Sequence, residues 1–389
     1  MKGATIFQHF SATRLSSRRF YRDVHLSRFS SSHHCVSKHY SRDTFLTAHY
    51  PQSQSLRLMS VDSKVDDRPH ADLFQYTSGC WLWDEEQQLR DRFTPFNVSE
   101  LQRIAASSIG ANKCVTMTKL AEGSFNKTFR LIMDNGSAAI ARIPHPIAGP
   151  KYYTTASEVA TMDFARTVLR IPIPQVHAWN ARVDNPVGAE YIIMEEAPGT
   201  KLEDVWDELS LEDRVAIMED LVSIENKLLS ISFNSYGNLY YSNEAISGAV
   251  VAEVVNDNTT PEVKTEQYVV ALAHHELEWI KQYAVPKSAD DLLVTSADQN
   301  TRDTHISLLH KYLQVAPYLL PTEPDIITST IWHTDLHSGN LFVDKGCITN
   351  IIDWQGIWAG PLVLQARYPR LIDHHGDIIL KPPSEFQGP

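Results

Sequence analysis

The chain has 389 residues, 43% hydrophobic and 21% charged, which is ordinary globular usage and room for one large or two modest domains. No window approaches the roughly 18 uninterrupted apolar residues of a membrane helix. The four cysteines, Cys35, Cys80, Cys114 and Cys347, show no CxxC spacing, which argues against a disulfide framework or zinc finger and fits a reducing compartment.

Charge is unevenly spread. Residues 1–60 hold nine Lys/Arg against two acids, net +7, while the remainder holds 26 basic and 45 acidic side chains, net −19. The leading "FSATRLSSRRFYRDVHLSRFSSSHH" is rich in Arg and Ser and poor in acids, the composition of a mitochondrial transit peptide; a disordered basic tail is the plainer alternative. An acidic body is a poor candidate for nucleic-acid binding, which needs a basic face to meet phosphates. No nucleic acid and no membrane span are therefore expected.

Structure is expected from about residue 70. Three β-prone runs follow one another: Val115 to Leu120, Lys127 to Met133 and Ala138 to Ile143. Asn135-Gly136 marks a hairpin between the last two, since both residues tolerate positive φ. The first two are joined by "AEGSFN", where Gly123 lets backbone approach another group and Ser124 and Asn126 supply polar atoms. The "TTASEVATMDFARTVLR" segment carries Val159, Met162, Ala165 and Leu169 on one helical stripe. Thr155 and Glu158 stand at capping-box spacing, a reading in which Glu158 satisfies only a backbone N–H.

Further along, Tyr191 to Met194 reads as a strand leading through Glu195, Glu196 and Ala197 into a Pro-Gly turn. Helices are expected over Lys201 to Leu209 and over Leu211 to Ser230, the second started by Ser210 with Asp213. Residues 235–266 show no clean period and read as loop. "YVVALAHHELEWIKQYA" and "HISLLHKYLQVAPYLL" read as two more amphipathic helices. The order is a small antiparallel sheet with one helix, then a larger helical part: an α+β protein of two lobes.

The densest chemistry lies in "IWHTDLHSGNLFVDKGCITNIIDWQ". His333, Asp335 and His337 could be metal ligands on one strand, with Asp373, His374, His375 and Asp377 adding more, which would suit a metal-dependent hydrolase. The alternative starts from the hairpin: Lys345-Gly346 is its turn, and a two-residue turn pairs Asp344 with Cys347, Val343 with Ile348 and Asn340 with Ile351. Asn340 and Asp353 then share the open end of the ribbon near Asp335. An amide oxygen and a carboxylate so placed suit Mg²⁺ carrying nucleotide phosphates. Asp335 is free to accept a proton from a substrate hydroxyl.

The pattern H-x-D-x-x-x-x-N with an Asp 13 residues later resembles the catalytic core of the protein-kinase-like superfamily. "HTDLHSGN" and "IIDWQ" resemble its aminoglycoside phosphotransferase and choline kinase branch. With "RIPHPIAGPKYYTTASEVATMDFA", the span 75–375 is similar to fungal mitochondrial members of the altered-inheritance-of-mitochondria protein nine type. The resemblance implies a nucleotide-binding lobe over 70–197, a helical lobe over 198–389 and a catalytic loop over 333–340. It also implies that Gly123, Ser124 and Asn126 belong to a phosphate-covering loop. "AIAR" puts Arg142 where kinases use lysine, paired with Glu158, and "MEEAPG" resembles the hinge whose backbone, at Glu195 to Ala197, reads adenine. His333 would hold the catalytic loop.

The expected function is a mitochondrial, ATP- and Mg²⁺-dependent phosphotransferase acting on a hydroxyl of an unidentified acceptor. A nucleotide-binding pseudokinase with a mitochondrial protein partner is the alternative. Relatives of this type continue beyond the position of Glu385 and carry a stretch near 263–267 that this chain lacks. The large lobe is therefore expected to be truncated and to leave apolar surface around Ile351, Trp358 and Leu362 to Leu364 poorly covered.

Overall fold

The computed structural model describes residues 70–81, 84–241, 254–255, 264–287, 300–367 and 369. The leading 1–60 segment, the 373–377 cluster and the 263 end of the 263–267 region lie outside them. The elements from Asp72 onward belong to one compact unit.

Helix α1 (Val98–Ser108) is started by Asn97, whose side-chain oxygen accepts from the Glu100 N–H at 3.1 Å. It lies on a five-stranded antiparallel sheet made of β1 (Cys114–Glu122), β2 (Asn126–Met133), β3 (Ala138–Pro144), β4 (Val176–Asn180) and β5 (Tyr191–Glu195), in the order β1-β2-β3-β5-β4. In β2 the pleat sends Lys127, Phe129, Leu131 and Met133 inward, and the apolar three pack in the cluster that holds Leu101 and Ala105 of α1. Central β3 is buried along nearly its whole length, as a strand covered on both faces must be. The β2–β3 turn differs from the expected pair of left-handed residues. Only Gly136 takes positive φ (+82°), while the Asn135 side chain accepts from the Ser137 N–H at 3.0 Å and widens the loop.

Helix α2 (Tyr153–Thr167) covers the other face, with Val159, Met162 and Ala165 in the larger core. Its start is not a capping box. Thr155 lies inside the first turn, and its hydroxyl donates to Glu190 at 2.6 Å; the other Glu190 oxygen accepts the Tyr152 N–H at 3.0 Å. A carboxylate from a distant loop thus satisfies the helix start, favoured there by the helix dipole. Glu158 is released for other work.

The expected helix over Lys201 to Leu209 is broken up. Thr200–Lys201 is a strand, β6, held by Val343 and Phe342, and only Leu202–Val205 and the 3₁₀ turn Trp206–Glu208 are helical. Helix α3 (Leu211–Leu229) has the expected Ser210 cap, bonded to the Asp213 N–H at 3.1 Å. After β7 (Ser232–Phe233) comes β8 (Val254–Val255), a pairing that the reading of 235–266 as loop did not anticipate. Helices α4 (Thr265–Tyr283) and α5 (Arg302–Leu319) pack on each other, followed by β9 (Ser329–Ile331), β10 (Leu341–Asp344), β11 (Cys347–Ile351) and β12 (Ala359–Pro361). Two small sheets result, β11-β10-β6 and β12-β9-β7-β8.

The apolar surface expected to lie open is mostly covered. Ile351 and Leu362 are buried, and Trp358 stacks on Tyr268 at 5.2 Å; Val363 and Leu364 remain exposed.

Candidate active site

Between the sheet and the helical half runs a cleft of about 1460 Å³. The nucleotide-site residues singled out in the sequence line it: Gly123 and Ser124 from the β1–β2 loop, Asn126 at the start of β2, Arg142 of β3, Glu158 of α2, Glu195 at the end of β5 with Ala197 beyond it, and His333, Asp335, Asn340 and Asp353 opposite; His337 is not part of the lining.

Arg142 and Glu158 form a buried ion pair, and the Arg142 Nη1 also reaches Asp353 Oδ1 at 3.4 Å. Burial lowers the guanidinium from its ordinary value, with the Asp353 charge opposing that shift. The pair joins neighbouring strand and helix, and Asp353 adds a contact from the other side of the cleft.

The β10–β11 hairpin turns at Lys345 (φ +50°) and Gly346 (φ +74°), the left-handed pair such a two-residue turn requires. Asp344 faces Cys347 and Val343 faces Ile348, as expected, but a bulge follows. Thr349 drops out of register and donates to the Pro198 carbonyl at 2.6 Å, so Leu341, not Asn340, pairs with Ile351. Asn340 meets the next residue instead, its carbonyl accepting the Ile352 N–H at 3.0 Å. The bulge moves the partner by one residue and leaves Asn340 and Asp353 at the same end.

Asn340 commits its amide nitrogen to the Asp335 carbonyl at 3.0 Å, leaving the amide oxygen as its donor atom for a cation. Asp353 takes φ +64°, a left-handed conformation that costs a non-glycine residue roughly 1 kcal/mol or more. Its carboxylate is about half exposed, as is that of Asp335.

His333 is buried edge-on against Trp354, ring centroids 5.0 Å apart. Its Nε2 lies 3.1 Å from the Ile352 carbonyl, which can only accept, so that nitrogen carries the proton. Burial lowers its pKa, with the Ile352 bond and the two nearby aspartates opposing. The ring ties the 333–340 loop to the hairpin. In His337, Nδ1 accepts the Gly339 N–H at 3.0 Å. Among the described residues no group of three or more His, Cys, Asp and Glu could hold a metal ion, so His333, Asp335 and His337 do not by themselves form a ligand cluster; the 373–377 residues of the hydrolase alternative lie outside the described residues.

At Gly123 an added Cβ would meet no atom within 4 Å, and φ is not positive. The glycine therefore leaves open room over the loop and is not forced by a turn. Asn126 donates to Gln355 Oε1 at 2.5 Å, and Gln355 in turn donates to the Ala148 carbonyl at 3.1 Å. The sequence reading gave Gln355 no part; its place two residues after Asp353 was the available signal.

Lys127, also passed over, is fully buried at the root of the same loop. Burial lowers its pKa from 10.5 to about 8, with Glu122 opposing. Between those two values the unfolded chain binds more protons than the folded one, so this group makes stability rise with pH across that window. Denaturant titrations over that range should show the wild type gaining on Lys127→Met; parallel profiles would contradict the assignment.

Residues 116–364 match the phosphotransferase enzyme family, and the chain belongs to that family. With the sheet and helical halves described above, it has the two-lobed α+β protein-kinase-like fold. It is 33% identical over 314 residues to a subtelomeric hrmA-associated cluster protein of Aspergillus fumigatus, covering 67% of this chain and 61% of that one. Altered inheritance of mitochondria protein 9, mitochondrial, of Yarrowia lipolytica is 31% identical over 201 residues, 47% of this chain and 35% of that one. Its Saccharomyces cerevisiae counterpart is 22% identical over 411 residues, 80% and 65% respectively. The chain thus spans less than two thirds of the length of these relatives. Among solved structures, a thermostable mutant of aminoglycoside phosphotransferase APH(4)-Ia, in ternary complex with ADP and hygromycin B, aligns with TM-score 0.42 and 15% identity over 68% of this chain and 74% of that one.

Proposed function

We propose that the protein is an ATP-dependent phosphotransferase acting on a hydroxyl group of an acceptor. What carries the reading is the meeting of the Arg142–Glu158 pair with Asp353 in one cleft, beside Asn340 and Asp335. The amide oxygen of Asn340 and the carboxylate of Asp353 are hard oxygen donors, a set that fits Mg²⁺. Bound there with ATP, Mg²⁺ would neutralise charge on the transferring phosphoryl group.

The protein's own part is positioning. Arg142, oriented by Glu158, holds phosphate oxygens, and the loop over Gly123, Ser124 and Asn126 covers them. Backbone at Glu195 to Ala197 meets the adenine edge. Asp335 accepts the proton of the acceptor hydroxyl as its oxygen bonds to the γ-phosphorus and the bond from that phosphorus to the β–γ bridging oxygen breaks, ADP leaving with the electron pair. His333 keeps that loop still through Ile352. One observation favours the pseudokinase alternative: Arg142, in place of a lysine, already pairs with the Asp353 carboxylate that a cation would need.

Mitochondrial location is supported by the names of the relatives and by the +7 charge of residues 1–60. Titration of the full chain with ATP should show binding that requires Mg²⁺, with turnover on some component of a mitochondrial metabolite extract. Binding without turnover on any component would favour the pseudokinase, and no binding would end both readings. A reporter carrying residues 1–60 should reach the mitochondrial matrix; a diffuse cytosolic signal would refute the location.

A further inference from the structure

We propose that His145 is a positioning residue for the nucleotide loop, holding its backbone through a ring tautomer that Lys127 selects. The proposal relies on the function above only for what the loop covers.

His145 follows β3 and reaches the loop twice. Its N–H donates to the Phe125 carbonyl at 2.8 Å, and its ring Nε2 lies 3.3 Å from the Gly123 carbonyl. A carbonyl only accepts, so the second bond exists only when the proton sits on Nε2. Nothing about an isolated imidazole guarantees that. The Arg92 carbonyl lies 3.2 Å from Nδ1 and would draw the proton there, which would strip Gly123 of its donor.

Lys127 decides between the two forms. Its Nζ is 3.3 Å from His145 Nδ1, and an ammonium can only donate, so Nδ1 must be bare. The ammonium is itself fixed: it donates to the Arg92 carbonyl at 2.5 Å and pairs with Glu122 Oε1 at 3.3 Å. Glu122 is held by the Thr77 N–H at 2.7 Å and by Lys119 at 3.4 Å. The Arg92 guanidinium lies over the Trp81 ring at 4.6 Å. Burial, with Lys127 adding to it, lowers the His145 pKa to about 4, so the ring is neutral near pH 7.

Two features follow. A loop with the single glycine Gly123 is anchored from below at both ends of its arch. The floor beneath it includes Thr77, Trp81 and Arg92, which precede the residues matching the family. Mobility that other glycine loops take from sequence is here restrained by a proton position.

The test is amide exchange across residues 123–126 in the nucleotide-free full chain, with Mg²⁺-ATP affinity measured alongside. His145→Phe should speed exchange about fivefold, the worth of one ordinary hydrogen bond, while the melting temperature falls by no more than a few degrees. His145→Gln, whose amide nitrogen donates without a choice of tautomer, should restore slow exchange. Lys127→Met should speed exchange in the wild type and have little effect beside His145→Gln. Because Lys127→Met strands the buried Glu122, the same comparison is made with Glu122→Gln added. Wild-type exchange in His145→Phe, or no recovery in His145→Gln, would overturn the proposal. Absence of ATP binding by the wild type would instead overturn the function, while the exchange pattern still decides the role of His145.

Discussion

Asp335→Asn should lower phosphoryl transfer by roughly 10²–10⁴-fold, the usual loss of a general base, with Mg²⁺-ATP binding nearly intact. The two aspartates have different surroundings, so their substitutions should fail differently. Asp335 has His337 Nε2 at 3.7 Å and its side chain about half exposed, so an approaching hydroxyl can reach it. Asp353 touches Arg142 and stands at the hairpin end with Asn340. Asp353→Asn removes a full negative charge from the proposed cation site and should weaken Mg²⁺-dependent binding itself. Nucleotide titrations and single-turnover rates on the two variants separate these effects. Wild-type Mg²⁺-ATP binding by Asp353→Asn would show the site to be wrongly assigned.

The second large effect concerns stability. Trp354→Ala should destabilise the protein by about 3–5 kcal/mol, the range for emptying a buried aromatic site. Trp354 is 1% exposed, bonds the Ile351 carbonyl through its indole N–H at 3.0 Å and supports His333 edge-on. Denaturant unfolding measures the loss, and Trp354→Phe should fall between. A change under about 1 kcal/mol would mean that the neighbours collapse into the space.

The parts of the fold legible in the sequence were those written locally. The Lys345-Gly346 turn needed only two residues, and Ser210 with Asp213 announced a helix start within one turn. The convergence of Asp335, Asn340 and Asp353 in one cleft was legible because their spacing must be kept for the residues to meet. What escaped depends on distant partners. Thr155 and Glu158 have capping spacing, yet Glu190, 35 residues from Thr155, supplies the cap. Thr349 left the hairpin ladder because Pro198 offered an acceptor. Lys127 looked like an ordinary strand lysine, and only the convergence of Glu122, Arg92 and His145 makes its burial tolerable. Thr200–Lys201 favoured a strand because an open edge of β10 lay beside it.

The left-handed backbone of Asp353 has a consequence for how this protein can be improved. At that position stability alone would choose glycine, which adopts the conformation without penalty. Selection or engineering that rewards only heat resistance is therefore drawn toward erasing the carboxylate proposed to hold the cation. A stabilised variant changed at 353 should be suspected of being a silent one, and libraries built for robustness should keep that codon fixed.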